Sequence, residues 1–213
     1  MRADGILMPH LPQSPVVTCH FKMTPFQFKN LTIEVSDDST YSYGSTDNKF
    51  KYLKHYFGEG GQEYPVSKHS IKIFENDKEI NSCIIIGSGG ATGIHKNSAL
   101  IDNDKLILCC CDTLFCLKLP ELNLLWQTKM DKATCFQVLR LDTDYLVHGE
   151  LEISRVDNEG KIIWQFGGAD IFVTIEGQDE FQLHSDHITL TDFCKTKYKI
   201  DFNGKLLSST NKN

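Results

Sequence analysis

Two tryptophans constrain this chain more than any other feature: Trp126 and Trp164 stand 38 positions apart, in the near-identical contexts Leu124-Leu-Trp-Gln127 and Ile162-Ile-Trp-Gln165. A recurrence of that length means that one supersecondary unit is used several times, each copy covering the apolar face of its neighbour. Placed in register, three copies each resolve into four short strand-like segments. The first segments are 98–101, 135–141 and 171–175; the second are 106–110, 145–148 and 181–184. The third are 114–119, 151–156 and 198–202, and the fourth are 124–128, 162–166 and 205–209. An irregular stretch from His187 to Lys197 feeds the third segment of the last copy.

The connections between third and fourth segments support hairpins. Asp157-Asn-Glu-Gly160 and Asn203-Gly204 supply residues that tolerate positive φ, whereas the remaining copy uses Pro120-Glu-Leu-Asn123. An earlier half copy follows the same plan, with 70–74, a turn at Asn76-Asp77, and 80–86.

The rest of the chain is less regular. Residues 1–29 hold four of the six prolines and read as an irregular N-terminal arm. Residues 30–36 alternate apolar and polar side chains, as a half-buried strand does. The stretch 47–57 carries the one good helical signal: Thr46 or Asp47 can cap its start, Phe50, Leu53 and Phe57 share a face, and Gly58 can end it. Its other face holds Lys51, Lys54 and His55, a basic and aromatic combination that single-stranded nucleic acid can use. A short amphipathic helix covering a sheet is the simpler reading.

The copies built on 157–165 and 124–127 resemble the repeats of quinoprotein-type β-propellers and, more loosely, WD40-like blades. The resemblance spans about residues 70–208 and implies an all-β fold of antiparallel four-stranded β-propeller-like repeats, about three and a half to four units, with one short helix near residues 47–57. The expected organisation is an arm over 1–29 and one propeller-like domain over 30–213, with its clearest repeats at 98–129, 134–167 and 170–208. Leu206-Leu207 replaces the Trp-containing pair in the last copy. The repeat by itself implies no quinone, and the arginines and acidic metal ligands of the quinoprotein enzymes do not map here, so no cofactor is expected.

Composition narrows the partners. A hydrophobic fraction of 40% in 213 residues suits a folded chain, and a net charge of −6 disfavours bulk attraction to nucleic acid or an anionic membrane. Eight cysteines without a CxxC pair read as free thiols, and Pro9 and Pro12 interrupt any signal-peptide core, so a cytoplasmic location is expected.

One set of polar residues recurs in register. Cys110-Cys111-Asp112, His148-Gly149-Glu150 and His184-Ser185-Asp186 fall between the second and third segments of successive copies. In a propeller such turns gather at one end of the channel, so Asp112, His148, Glu150, His184 and Asp186 are the candidate ligand-binding residues, for a divalent metal or a cationic ligand. An Asp at a tight turn also accepts hydrogen bonds from its own backbone, and this structural role is the simpler one. The glycine cluster 87–93 lacks the third glycine of a dinucleotide fingerprint and the Lys-Ser/Thr pair of a P-loop, so it reads as a connection between units. Cys109, Cys110 and Cys111 alternate faces on a strand and read as small buried hydrophobes. His184 and His187, three apart, point to opposite faces if the strand is extended, which disfavours a two-His clamp unless a turn intervenes.

No catalytic motif is present. The leading expectation is a non-enzymatic binding module for a protein partner, for example a regulatory or neutralising partner of another cytosolic protein, and a second copy of the chain can complete the sheet array. The alternative is a metal- or small-ligand-dependent enzyme with its site at the propeller end.

Overall fold

The computed structural model describes residues 23–174 and 180–210. Every regular element among them is a β-strand, and the strands form four sheets. The first contains β1 (Phe26–Phe28), β2 (Leu31–Asp37), β3 (Lys54–Phe57), β4 (Ser67–Glu75) and β5 (Lys78–Gly87), in the order β1-β2-β4-β5-β3. The second is the meander β6 (Ala99–Asp102), β7 (Lys105–Cys110), β8 (Thr113–Lys118) and β9 (Asn123–Lys129). The third is β10 (Cys135–Leu141), β11 (Asp144–Gly149), β12 (Glu152–Val156) and β13 (Ile162–Gly167); the fourth is β14 (Phe181–Leu183), β15 (Ile188–Thr191), β16 (Lys197–Ile200) and β17 (Leu206–Thr210). These are blades of the propeller type. In the first sheet β1, β2, β4 and β5 take the four blade positions, and β3 adds a fifth strand outside, parallel to β5.

Strand alternation stacks the sheets. On β7, Leu106, Leu108 and Cys110 pack toward the first sheet, while Ile107 and Cys109 pack toward the third. On β11, Tyr145 and Val147 face back to the second sheet and Leu146 faces the fourth. A strand buried on both faces cannot alternate with polar residues, which is why β7 and β11 read as continuous apolar runs. The outer face of the first sheet is covered by its own loop, where Tyr41 and Tyr52 pack on Ile84 and Ile86.

Three expectations change. No helix forms over 47–57: its last four residues are β3, and the basic face is not displayed, because Lys54 Nζ bonds Glu121 O and Asn123 Oδ1 and His55 Nε2 lies 2.6 Å from Tyr41 Oη. Pairing with β5 in the core overrides a helical spacing that only three apolar residues support. Second, Phe26–Phe28, inside the expected arm, form β1; residues 1–22 of that arm lie outside the described residues. Third, the last copy is shifted by one strand. Phe181–Leu183 is its first strand, not its second, and the stretch read as irregular holds its second strand, Ile188–Thr191. Residues 171–174 form no strand, and 175 lies outside the described residues.

Candidate functional site

The turns between second and third strands are tied into a belt. Cys135 N donates to Cys111 O at 2.7 Å, Glu150 N to Thr134 O at 2.8 Å, Phe172 N to Glu150 O at 2.7 Å, and Phe193 N to Ile171 O at 2.8 Å. Turn and inter-sheet linker thus alternate along one rim, satisfying backbone groups that a buried loop would otherwise leave unpaired.

Asp112 sits in that belt, nearly buried, receiving the Thr113 hydroxyl at 2.7 Å and pairing with Lys129 Nζ at 3.0 Å. His148 is buried too. Its Nδ1 lies 3.0 Å from the Gln137 amide and its Nε2 3.0 Å from Phe172 O, so the ring is a neutral Nε2–H tautomer, accepting from Gln137 and donating to Phe172. Phe181 stacks on it at 5.3 Å, and burial holds its pKa below the ordinary value. Glu150 is half-buried, with its backbone in the belt.

The strand shift separates His184 and Asp186 from this group. They lie in the turn between the first and second strands of the last sheet, which a meander places at the opposite rim. The residue that actually shares the position of Asp112 is Asp192, fully buried, which accepts from Thr196 N at 2.8 Å and Tyr198 Oη at 2.7 Å. The same turn brings the His184 and His187 rings together, stacked at 4.3 Å, where an extended strand would have parted them. Asp186 accepts from His187 Nδ1 at 2.6 Å, and that bond holds its carboxyl below the usual range. Among the described residues no group of three or more His, Cys, Asp or Glu is placed to hold a metal ion. No described helix is long and apolar enough to cross a membrane.

A second arrangement recurs in all four sheets. Each sheet carries one β-bulge on its fourth strand, and the extra residue is Ile80, Leu125, Ile163 or Leu207. All four are exposed, at 43%, 46%, 50% and 50%. The residue that follows each of the first three bulges reaches the next sheet: Asn81 Nδ2 donates to Pro120 O at 3.0 Å, Trp126 Nε1 to Asn158 O at 3.2 Å, and Trp164 Nε1 to Phe202 O at 3.0 Å. Three residues before each bulge the backbone has positive φ, at Asp77, Leu122, Gly160 and Gly204. The bulge therefore has a structural task, to turn the next side chain onto the neighbouring hairpin. That task does not require the bulged residue itself to be Ile or Leu. Its signal in the sequence was the doublets Leu124-Leu125, Ile162-Ile163 and Leu206-Leu207, two apolar residues in a row where a strand should alternate.

Between the bulge at Leu125 and the next hairpin lies a groove of about 600 Å³, walled by Leu125, Trp126, Lys105, Lys118, Asn158 and Glu159.

No known family and no curated protein matches the sequence. Solved structures with a similar arrangement include BamB from Moraxella catarrhalis, 12% identical over 70% of this chain with a TM-score of 0.41; the chain spans 44% of that protein. The computationally designed Ika4 protein is 10% identical over 59% of this chain and 81% of its own, with a TM-score of 0.44. The AfRom2 CNH domain is 10% identical over 88% of this chain and 70% of its own, also with a TM-score of 0.44.

Proposed function

We propose that the chain is a non-enzymatic protein-interaction module whose outer perimeter is the contact surface. One observation carries this reading: the bulged residue of the fourth strand is an exposed Ile or Leu in all four sheets. Single exposed aliphatics are ordinary, but the same exposure at one equivalent position four times is a row, and a regular apolar row on a rigid β scaffold is how a partner is registered. Each bulge has a cation or its substitute two residues earlier: Lys78, Lys161, Lys205, and Asn123, which holds the ammonium of Lys54. The partner would then offer apolar side chains flanked by carboxylates.

The test compares the protein with a Leu125→Asp, Ile163→Asp double variant, immobilised at equal density and challenged with native lysate. A stoichiometric partner held by the first and lost by the second, with unchanged circular dichroism for both, supports the proposal. A partner held equally by both, or no partner under several buffer conditions, contradicts it. Assembly between copies of the chain, the other partner considered, would appear as a concentration-dependent mass in sedimentation that the double variant lacks.

A further inference from the structure

The face of the fourth sheet that looks away from the third differs in kind from the equivalent faces of the other sheets. In the second sheet that face is Ile107, Cys109, Leu114 and Cys116, and in the third it includes Leu146, Ile153 and Phe166. In the fourth, Ile188, Leu190, Tyr198 and Ile200 all turn back into the core, leaving the intervening residues on the free face. Register arranges them in rows. Gln182 pairs with Thr189, Thr189 with Lys199, and Lys199 with Ser208, one straight row across all four strands. In the next row on the same face, Thr191 pairs with Lys197 and Lys197 with Thr210. Each row places an ammonium between two hydroxyls.

Neither lysine makes a hydrogen bond or ion pair among the described residues, whereas Lys72, Lys118 and Lys129 all pair with carboxylates. The two rows line a groove of about 300 Å³, closed at one end by the stacked His184 and His187. Asp186, beside the groove, is hydrogen-bonded to His187 and also feels the charge of Lys199. In a chain of net charge −6, this is a concentration of donors and positive charge whose counter-charge, Asp186, is shared between His187 and Lys199.

The geometry points to a binding site for a small molecule carrying two phosphate groups. Neighbouring strands are about 4.8 Å apart and alternate residues about 6.7 Å apart, so the rows form two adjacent cradles, each with one ammonium and two hydroxyls; the Thr189 hydroxyl, 2.9 Å from His184 Nε2, can accept from that ring while donating to a phosphate. Other occupants fit less well. A further apolar sheet would bury two unpaired ammoniums. A second copy of this face would set lysine against lysine. Residues 1–22 carry a single acid, Asp4, against Arg2 and Lys22, and offer no matching charge. The two rows themselves hold no Phe, Tyr or Trp on which successive nucleic acid bases could stack. This site is separate from the perimeter row and does not depend on it.

Titration calorimetry at low salt tests the inference with three probes: a hexose bisphosphate, inorganic phosphate, and citrate as a polycarboxylate control. The expected result is saturable binding of the bisphosphate, at least about tenfold tighter than either of the others, and weakened about tenfold by Lys197→Gln or Lys199→Gln alone. Both lysines are on the surface of the sheet, so the variants should keep their circular dichroism and thermal transition. No bisphosphate binding, binding no tighter than citrate, or binding that neither variant weakens would overturn the assignment.

Discussion

The indole of Trp164 lies against the α-carbon of Gly204, so closely that a Cβ at that position would come within 2.6 Å of the ring carbon Cδ2. Trp126 meets Gly160 in the same way, also at 2.6 Å, one sheet earlier. In both joints the ring also donates through Nε1 to the carbonyl two residues before the glycine. The hairpins are built alike: Asp157 Oδ1 accepts from Glu159 N and Lys161 N, and Asp201 Oδ1 from Asn203 N and Lys205 N, each at 2.9 Å. The 38-residue spacing is the imprint of this lock. Ser208 holds the corresponding position in the fourth sheet, whose free face is polar.

Gly160 combines positive φ, +87°, with the indole contact, whereas Gly44 has φ of +81° and nothing near. Gly44→Ala should therefore cost only the backbone penalty, about 1 kcal/mol, and Gly160→Ala about 3 kcal/mol because the indole must also move. Urea denaturation of the two variants measures the difference. Equal losses would mean that the Trp–Gly contact does not tie the sheets.

His69 is fully buried, and neither ring nitrogen has a hydrogen-bond partner. Burial pushes its pKa down to about 4 from 6.5, outweighing the Asp37 carboxylate 3.9 Å away. A depressed histidine is accommodated neutral, so its contribution is complete above pH 6.5 and is lost as the pH falls from there toward 4, when the unfolded chain binds the proton first. His148, also depressed by burial, acts in the same direction. His69→Leu should reduce the stability lost between pH 7 and pH 4.5 by about 2 kcal/mol, read from denaturation midpoints at the two pH values. An unchanged loss would show that His69 is not buried neutral.

Among the described cysteines Cys194 alone is exposed, and its thiol donates to Asp170 Oδ2 at 3.0 Å. That carboxylate raises the thiol pKa. Asp170→Asn should speed alkylation of Cys194 by iodoacetamide several-fold at neutral pH, because more thiolate forms, with peptide mass spectrometry reporting the site. A rate that stays the same or falls would contradict the bond.

Much of this fold is legible in the residues. The Trp spacing, the hairpin turns and the alternation through 98–167 locate eight strands of the second and third sheets, because their positions are set by local signals. The fourth sheet is not legible in the same way, because its first strand is only Phe181–Leu183 and the apolar run at 171–175 carries the stronger strand signal; Phe172 is buried, but as linker packing on Phe166 and Tyr198. The one-strand shift carries Asp186 and His184 into a false correspondence with Asp112 and His148. Periodicity alone could not place Lys54–Phe57 either, since β3 pairs with a strand far along the chain and does so in parallel. The perimeter row was present as aliphatic doublets, but a doublet tells of a bulge only once the cross-strand register is known.

Site-specific photo-crosslinking is the most direct check on the proposed contact surface. A benzophenone amino acid placed at 125 and at 163, in separate otherwise unaltered proteins, should form adducts with one and the same protein in cells, while the same probe at exposed Tyr64, in the first sheet's loop, should form none. Adducts at 64 but at neither bulge would contradict the account.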